Sequence, residues 1–383
     1  MKIIHVTHSF FPYSYGGRER MVLEWGKCAS KRNDVTILTS SDRFLKFEVK
    51  KFGKINVYYL PSLTINLVSS IYRIPPFVLF FLLERDFDIC HVHDFHHFTT
   101  LLSTIACRIK RKPIVLSYHG IYKSNGILSI LTKIYEALFL KFIINSVRYV
   151  IVPSEFSKNE IIDEFKVPKE KIIKVPNFIS FENLKIRINF NKKYKVDKYI
   201  LAVGRFSKEK GFEYLLKSFK LVLEKRKDIK LVIIGGKRDY IRVIEKFANS
   251  LGTLDNILIL SNVFDEEVYS AFKYAELVVI PSIYEPFGIV ALEAMYFGKP
   301  IVAFRVGGLK EIVKNKVNGI LVREKNVKEL ANAIIKILSN AKMREKISRN
   351  NKKFVKFFDR RNFVDFVNNF YERILKKIWK NVS

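Results

Sequence analysis

Glutamine is absent from this 383-residue chain, cysteine occurs three times, tryptophan twice, and 37 acidic side chains stand against 68 lysines and arginines. Each shortage excludes something. Cys28, Cys90 and Cys107 are too few and too scattered for a disulfide framework or a thiolate zinc site, which points to a reducing, cytoplasmic setting. No charged-then-apolar leader opens the sequence, because Lys2-Ile3-Ile4-His5-Val6 already reads as a strand. The most apolar stretch, residues 67–83, is broken by Arg73 and the Pro75-Pro76 pair, leaving too little length for a spanning helix. RNP motifs, zinc fingers and arginine-rich arms are missing, so no nucleic acid is expected as a partner. The missing glutamine, with abundant lysine and isoleucine, leans toward a thermophilic or AT-rich source.

What is present is core-forming residue and positive charge. Hydrophobic residues make up 49% and charged ones 27%, the balance of a folded protein that at this length divides into two or three domains. The formal charge of +31 has three explanations: an anionic membrane surface, nucleotide phosphates, or lysine-rich helix faces as such. A nucleic-acid-binding protein, motivated by charge alone, is the reading from a different class.

Strand-like runs alternate with helical patterns. Residues 2–7 read as a buried strand, a loop ends at Gly16-Gly17, a helical pattern runs from Arg18 to about Ser30, and residues 35–39 return to strand. This is the opening of a doubly wound α/β unit. The two glycines either allow close backbone approach to a ligand or merely shape the turn, and local sequence leaves both open. A helix from near Pro76 feeds a strand at 87–93, followed by a histidine-rich run, His91-Val92-His93-Asp94-Phe95-His96-His97. Residues 91 and 93 point the same way in a strand, but spacing specifies no third ligand. A polar cleft edge is therefore favoured over a metal site. The strand at 114–117 ends in Tyr118-His119-Gly120, where a histidine faces the ligand crevice of a parallel sheet. Residues 128–147 form a helix apolar on nearly every face, with core burial the default and contact with another apolar phase the alternative. A strand at 149–152 leads to Ser154 as a helix N-cap.

Beyond Pro176-Asn177-Phe178 periodicity fades, setting a first domain at 1–178 and a linker at 179–196. The pattern restarts in a second domain, 197–358. Its strands are expected at 199–203, 230–234, 257–260, 277–280 and 300–303, with an amphipathic helix at 212–224. A basic helix in 359–383 carries Phe366, Phe370, Tyr371, Ile374 and Ile378 at helical spacing.

Residues 280–300 hold the densest chemistry. Pro281 and Pro286 break a strand and a helical pattern resumes near Gly288, which places Glu285 in a loop and Glu293 inside a helix. The N–H groups of Phe287, Gly288, Ile289 and Val290 would lie at the positive end of that helix, where an anion is favoured. Carboxylates beside such donors suit a ligand that is both phosphorylated and polyhydroxylated.

A further set of motifs falls in a fixed order: Gly16-Gly17, His119 in Ser117-Tyr118-His119-Gly120, Val152-Pro153-Ser154-Glu155, Gly204-Arg205 with Lys210-Gly211, Glu285 with Glu293, Val306-Gly307-Gly308-Leu309-Lys310-Glu311, and Asn318-Gly319. Over nearly the whole chain this resembles the retaining nucleotide-sugar glycosyltransferases of family 4. The resemblance implies a GT-B fold, two Rossmann-like α/β domains facing across a cleft, with the C-terminal helix crossing back to the first. It implies transfer of a hexose-type sugar, with retention, from a nucleoside diphosphate to a glycan or lipid-linked acceptor, without a metal or other cofactor.

Within that picture Arg205 and Lys210 would hold the diphosphate, which gains negative charge as the glycosidic bond breaks. Glu293 would accept from ribose hydroxyls and Glu285 from hydroxyls of the transferred sugar. The backbone from Phe287 to Val290 would touch sugar and phosphate, Gly16 and Gly17 would line the donor site, and His119 would lie near the anomeric carbon. Paired carboxylates also serve glycoside hydrolysis, but a phosphate leaving group needs neutralisation more than protonation. An epimerase or hydrolase on the same fold is the runner-up. Phe178 and Ser180 stand where relatives commonly have glycine and aspartate, and Glu324-Lys325-Asn326 replaces Pro-Gly-Asp. The basic segment 46–54, the aromatic stretch 77–81 and the apolar helix from residue 128 all fall in the acceptor-side domain. They suggest an acceptor at an anionic membrane surface, with a soluble glycan as the alternative.

Overall fold

The structure is a computed structural model that describes residues 1–41, 47–67, 70–121, 127–235 and 241–379. The chain divides into two compact units, Met1–Asn177 together with the segment from Arg360 onward, and Phe178–Asp359.

Ten strands are described in the first unit: β1 (Lys2–Thr7), β2 (Asp34–Ser40), β3 (Glu48–Phe52), β4 (Ile55–Leu60), β5 (Leu63–Leu67), β6 (Ser70–Ile74), β7 (Ile89–His93), β8 (Ile114–Ser117), β9 (Tyr149–Val152) and β10 (Ile172–Lys174). Eight of them form one sheet in the order β10-β9-β8-β7-β1-β2-β4-β3, and β5 and β6 pair separately. The large sheet is parallel except for β3, which runs antiparallel to β4. β7 and β8 have no exposed residue, as strands covered by helices on both faces require. β3 alternates half-buried and exposed side chains and sets Lys51 outward, a charge that blunts a free edge. Strands β3 to β6 went unread in the sequence, where 46–54 registers only as basic. Lys46 itself lies outside the described residues.

The helix Gly17–Ala29 packs Met21, Val22, Trp25 and Cys28 inward. The last helix, Val364–Trp379, lies against it with Val367, Tyr371 and Ile374 buried. Polar bonds fix its register: Asn368 Nδ2 donates to the Cys28 carbonyl at 3.0 Å, and Arg360 meets Glu24 at 3.4 Å. The apolar segment after residue 126 is a helix Ile127–Tyr135, a π turn Glu136–Leu140 and a helix Lys141–Ser146. Core burial is only part of its outcome: Tyr135, Ile143, Ile144 and Val147 join the first unit's core, but a second face does not. Ile130, Leu131, Ile134, Leu138 and Phe142 are exposed, on one face at helical spacing.

The second unit holds β11 (Tyr199–Val203), β12 (Lys230–Gly235), β13 (Ile257–Ser261), β14 (Leu277–Ile280), β15 (Ile301–Phe304) and β16 (Gly319–Val322) in a parallel sheet ordered β13-β12-β11-β14-β15-β16. Its centre is aliphatic: Leu201, Val232, Val278, Ile301 and Val302 have no exposed surface. Truncating one such leucine to alanine costs about 2–5 kcal/mol, because the close-packed interior only partly collapses onto the hole.

Residues 179–196 are not a free linker. They contribute a short turn, Phe181–Asn183, and a short helix, Phe190–Tyr194, and they bury Ile179, Leu184, Phe190 and Val196 in the second unit's core. Ser270 clamps the segment by accepting from the Phe190 N–H at 3.1 Å and donating to the Ile188 carbonyl at 2.8 Å. These are isolated anchors rather than one helical face, so no period advertises them. The unit boundaries fall instead at Asn177 and at Asp359.

Candidate functional site

In the second unit the sheet order reverses between β11 and β14, and the loops leaving the carboxyl ends of two such strands form the usual ligand crevice of a doubly wound sheet. The loop after β11 carries Arg205 and Lys210, and the loop after β14 carries Glu285. Lys210 Nζ lies 2.6 Å from Glu285 Oε2, both groups largely sheltered, and Ser282 Oγ donates to the same oxygen at 3.4 Å. Backbone contact holds the two loops together: Ile283 N–H donates to the Glu209 carbonyl at 2.8 Å. A glycine makes room. Gly211 adopts φ +62°, and a Cβ there would stand 2.1 Å from the Pro281 carbonyl oxygen.

After Glu285 the chain buries Phe287 against Phe358 and turns through Gly288 at φ +108° into the helix Ile289–Tyr296. This conformation is inaccessible to most side chains. Ile289 and Val290 occupy the first turn, where backbone N–H groups lack helical partners. Glu293 is buried one turn later, with 2% exposure. Under the loop run Gly307 and Gly308: Gly308 N–H donates to the Glu285 carbonyl at 2.9 Å, and a Cβ on Gly307 would stand 2.0 Å from the same oxygen. Arg205 is exposed, with no ion pair among the described residues.

The first unit has its own reversal point, between β1 and β7. Gly16 is extended at φ −170° and caps the helix that starts at Gly17. The next two residues, Arg18 and Glu19, build a charged cluster absent from the sequence reading. Arg18 bonds Asp94 at 3.2 Å, Glu19 at 3.1 Å, Ser9 at 2.7 Å and His97 at 3.0 Å. Burial alone would push the Glu19 carboxyl up, but Arg18 and the Ser9 hydroxyl outweigh it and hold the group near about 2. Asp94 takes the left-handed region at φ +68°, a strained state that persists only when its surroundings fix it. Its carboxylate thereby bridges Arg18 and the His119 N–H, the latter at 2.9 Å. The available signal was a charged pair directly after two glycines at a helix start, and an aspartate ending a strand.

Part of the histidine run forms the expected polar edge, since Asp94 and His97 join the Arg18 cluster at the reversal point, but the two histidines within the strand do not. His91 and His93 lie inside β7 with no exposed surface, stacked on each other, with His93 also stacked on His5 of β1. His119 is half-buried at the end of β8.

The structure thus brings Lys210 to Glu285, with Arg205 in the same loop as Lys210, and sets Phe287, Gly288, Ile289, Val290 and Glu293 on the strand-to-helix connection that follows. In the first unit it gathers Gly16, Gly17 and His119 around the Arg18–Asp94 pair.

Two largely parallel α/β units, each with polar loops at its reversal point, make up the GT-B fold class. The family models agree: residues 15–183 match Glycosyltransferase Family 4 and residues 185–354 match Glycosyl transferases group 1, and the chain belongs to this family. An uncharacterized glycosyltransferase of Methanocaldococcus jannaschii is 37% identical over 282 residues, covering 70% of both chains. A second from that organism is 28% identical over 93% of this chain and 94% of its own length. Among solved structures, sucrose-phosphate synthase from Thermosynechococcus elongatus superposes with a TM-score of 0.80 at 20% identity over 98% of this chain and all (100%) of the other. Anabaena HepE in complex with UDP and glucose gives 0.77 at 21% identity, with 98% and 99% covered.

Proposed function

We propose that this glycosyltransferase moves a hexose-type sugar from a nucleoside diphosphate to an acceptor, with retention of anomeric configuration and without a metal. The observation that carries the reading is the Lys210–Glu285 pair at the reversal point of the second sheet. A diphosphate competes for Lys210 with two or more oxygens, and the Glu285 oxygen so released accepts from a sugar hydroxyl. Arg205, exposed in the same loop, adds a planar fork of donors for the second phosphate. As the glycosidic bond breaks, charge accumulates on the leaving phosphate, where the two cations and the N–H groups at Ile289 and Val290 stabilise it. The acceptor oxygen attacks from the face the phosphate leaves, and that phosphate takes the acceptor's proton. Glu293 accepts from the ribose hydroxyls and His119 hydrogen-bonds a hydroxyl of the sugar. The test is the anomeric configuration of the glycoside formed from an α-linked donor, read by NMR. An inverted product, or free sugar released at the same rate without acceptor, overturns the reading.

The acceptor we place at an anionic membrane surface. No described helix is long and apolar enough to cross a membrane. The exposed face of Ile130, Leu131, Ile134, Leu138 and Phe142, with Phe77 and Phe80 also exposed on the helix Phe77–Glu84, supports peripheral attachment. So does the charge of +31. Vesicles with phosphatidylserine should carry the protein upward on flotation at low salt. Flotation with neutral vesicles alone, or none, contradicts the placement.

A further inference from the structure

Four histidines of the first unit form a hydrogen-bonded file. Adjacent parallel strands set His5 opposite His91 and His93 opposite Ser117. His5 Nδ1 lies 3.2 Å from His93 Nε2, and His93 Nδ1 lies 3.0 Å from His119 Nε2. At the other end His5 Nε2 is 3.4 Å from the Tyr371 hydroxyl, which sits 2.6 Å from His91 Nδ1. His91 Nε2 then reaches Ser117 Oγ at 2.8 Å. The file Ser117–His91–Tyr371–His5–His93–His119 therefore joins the C-terminal helix to the half-exposed end of β8.

Burial holds these rings neutral: it pushes His5 down to about 3 and His91, His93 and His119 below the ordinary histidine range. A neutral imidazole has one N–H and one lone pair. Each link of the file takes one proton, and with the Tyr371 hydroxyl donating to one of its two ring neighbours and accepting from the other, the whole file is polarised in one of two directions. In the first, Ser117 donates into His91 and the file ends on an N–H at His119 Nδ1. In the second, every bond reverses and the file ends on a lone pair there.

The lengths favour the second. A phenol O–H donating to nitrogen makes a short bond, whereas an imidazole N–H donating to a phenol oxygen makes a longer one. The contact at 2.6 Å is Tyr371 donating to His91, and the one at 3.4 Å is His5 Nε2–H reaching the phenol oxygen. His5 Nδ1 must then accept from His93 Nε2–H, and His93 Nδ1 from His119 Nε2–H. We propose that the file fixes His119 as the Nε2–H tautomer, presenting its Nδ1 lone pair, and that Tyr371 and His93 are positioning residues acting through it. A lone pair there selects a ligand hydroxyl that donates over a group that only accepts. That His119 meets the ligand rests on the proposed function; its tautomer does not. The nitrogens of His5, His91 and His93 also lie within 4.8 Å of one another. Their rings are tilted by 17°, 19° and 35°, which keeps the lone pairs in near-parallel planes rather than aiming them at one cation.

The test is the two-bond proton–nitrogen correlation spectrum of the full chain with labelled histidine, its seven histidines assigned by single substitution. The expected result is a protonated Nε2 and bare Nδ1 on His119, unchanged in Ser117→Ala, because the serine only accepts. Tyr371→Phe should mix the two tautomers of His119 and raise a substrate KM about tenfold with kcat changed less, the effect of weakening one hydrogen bond. An Nδ1–H tautomer in the unmodified protein overturns the file even where transfer is normal. The expected tautomer with no transfer from any nucleotide sugar supports the file and overturns the functional reading alone. If Tyr371→Phe does not fold, the spectra of the unmodified protein and Ser117→Ala still decide. Zinc that shifts His5, His91 and His93 together makes the cluster a metal site and overturns the file.

Discussion

At the reversal point of the first sheet the strands carry His5 and Thr7 on β1 and His91 and His93 on β7, all buried, while the matching strands of the second sheet carry Leu201, Ala202, Val278 and Val279. All seven histidines belong to the first unit, and the second has none. The polar groups of the second unit are instead held outside its sheet, on loops whose shape depends on glycine. One unit builds hydrogen bonding into its interior, and the other keeps an inert interior and shapes its backbone. The teaching is that a similar sheet architecture can reach a polar crevice by protonation chemistry or by backbone conformation, and the two should fail under different stresses.

The largest effects should come from the loop cations. Arg205→Ala and Lys210→Ala, and Glu285→Ala beside them, should each lower transfer by about a hundredfold to a thousandfold, the scale of removing one charge-stabilising group. Circular dichroism should show the fold unchanged. Near-normal transfer in all three would remove the second unit from the chemistry.

Backbone shape comes next. Gly307→Ala puts a methyl 2.0 Å from the Glu285 carbonyl at φ +46°, and should cost about 2–4 kcal/mol in urea unfolding. In the first unit Gly16→Ala meets only the Glu19 carboxylate, 2.8 Å away, at an ordinary extended φ, and should cost about 1 kcal/mol. Equal costs would erase the contrast.

Acid should separate the units the other way. His5 titrates near 6.5 when unfolded but at about 3 when folded, because burial disfavours its charge. The unfolded chain therefore binds more protons as pH falls below 6.5, and stability present above that pH is lost toward 3. Each such histidine contributes a slope of about 1.4 kcal/mol per pH unit. Glu19, held at about 2 against an ordinary 4.5, adds a loss in the same direction over the lower window. Trp25 and Trp379 both belong to the first unit, so tryptophan fluorescence reports on it selectively, and its urea midpoint should fall between pH 6.5 and 5. A midpoint flat over that range would contradict the buried neutral histidines.

The smallest effects should not distinguish the units at all. Ser154 caps its helix by accepting from Ser157 N–H at 3.0 Å, and Asn326 from Glu329 N–H at 3.0 Å. Alanine at either position should cost about 1 kcal/mol in thermal unfolding.

The alternation of strand and helix was legible in the sequence because buried parallel strands read as short aliphatic runs, and Ser154 was legible as a cap because capping is local. Glu285 in a loop and Glu293 in a helix followed from Pro286 and Gly288. The histidine file was not legible, since His5 meets His91 only through the placement of β1 beside β7, which no local pattern encodes. The exposed face at Ile130 and Leu138 was hidden for the opposite reason: a segment apolar all round has no phase to read. Nor did Gly307 disclose that it floors the Glu285 loop, because a glycine's reason is the atom that approaches it.

The Lys210 loop of the second unit should bind a nucleoside diphosphate sugar. A thermal-shift panel of nucleoside diphosphates and their sugars, run on the unmodified protein and on Lys210→Ala, tests it directly. At one hundred times the dissociation constant a bound donor stabilises by about 2.7 kcal/mol, so at least one donor should raise the unfolding temperature by a few degrees, and the variant should lose that rise. A panel with no shift, or an equal shift in Lys210→Ala, would contradict the account.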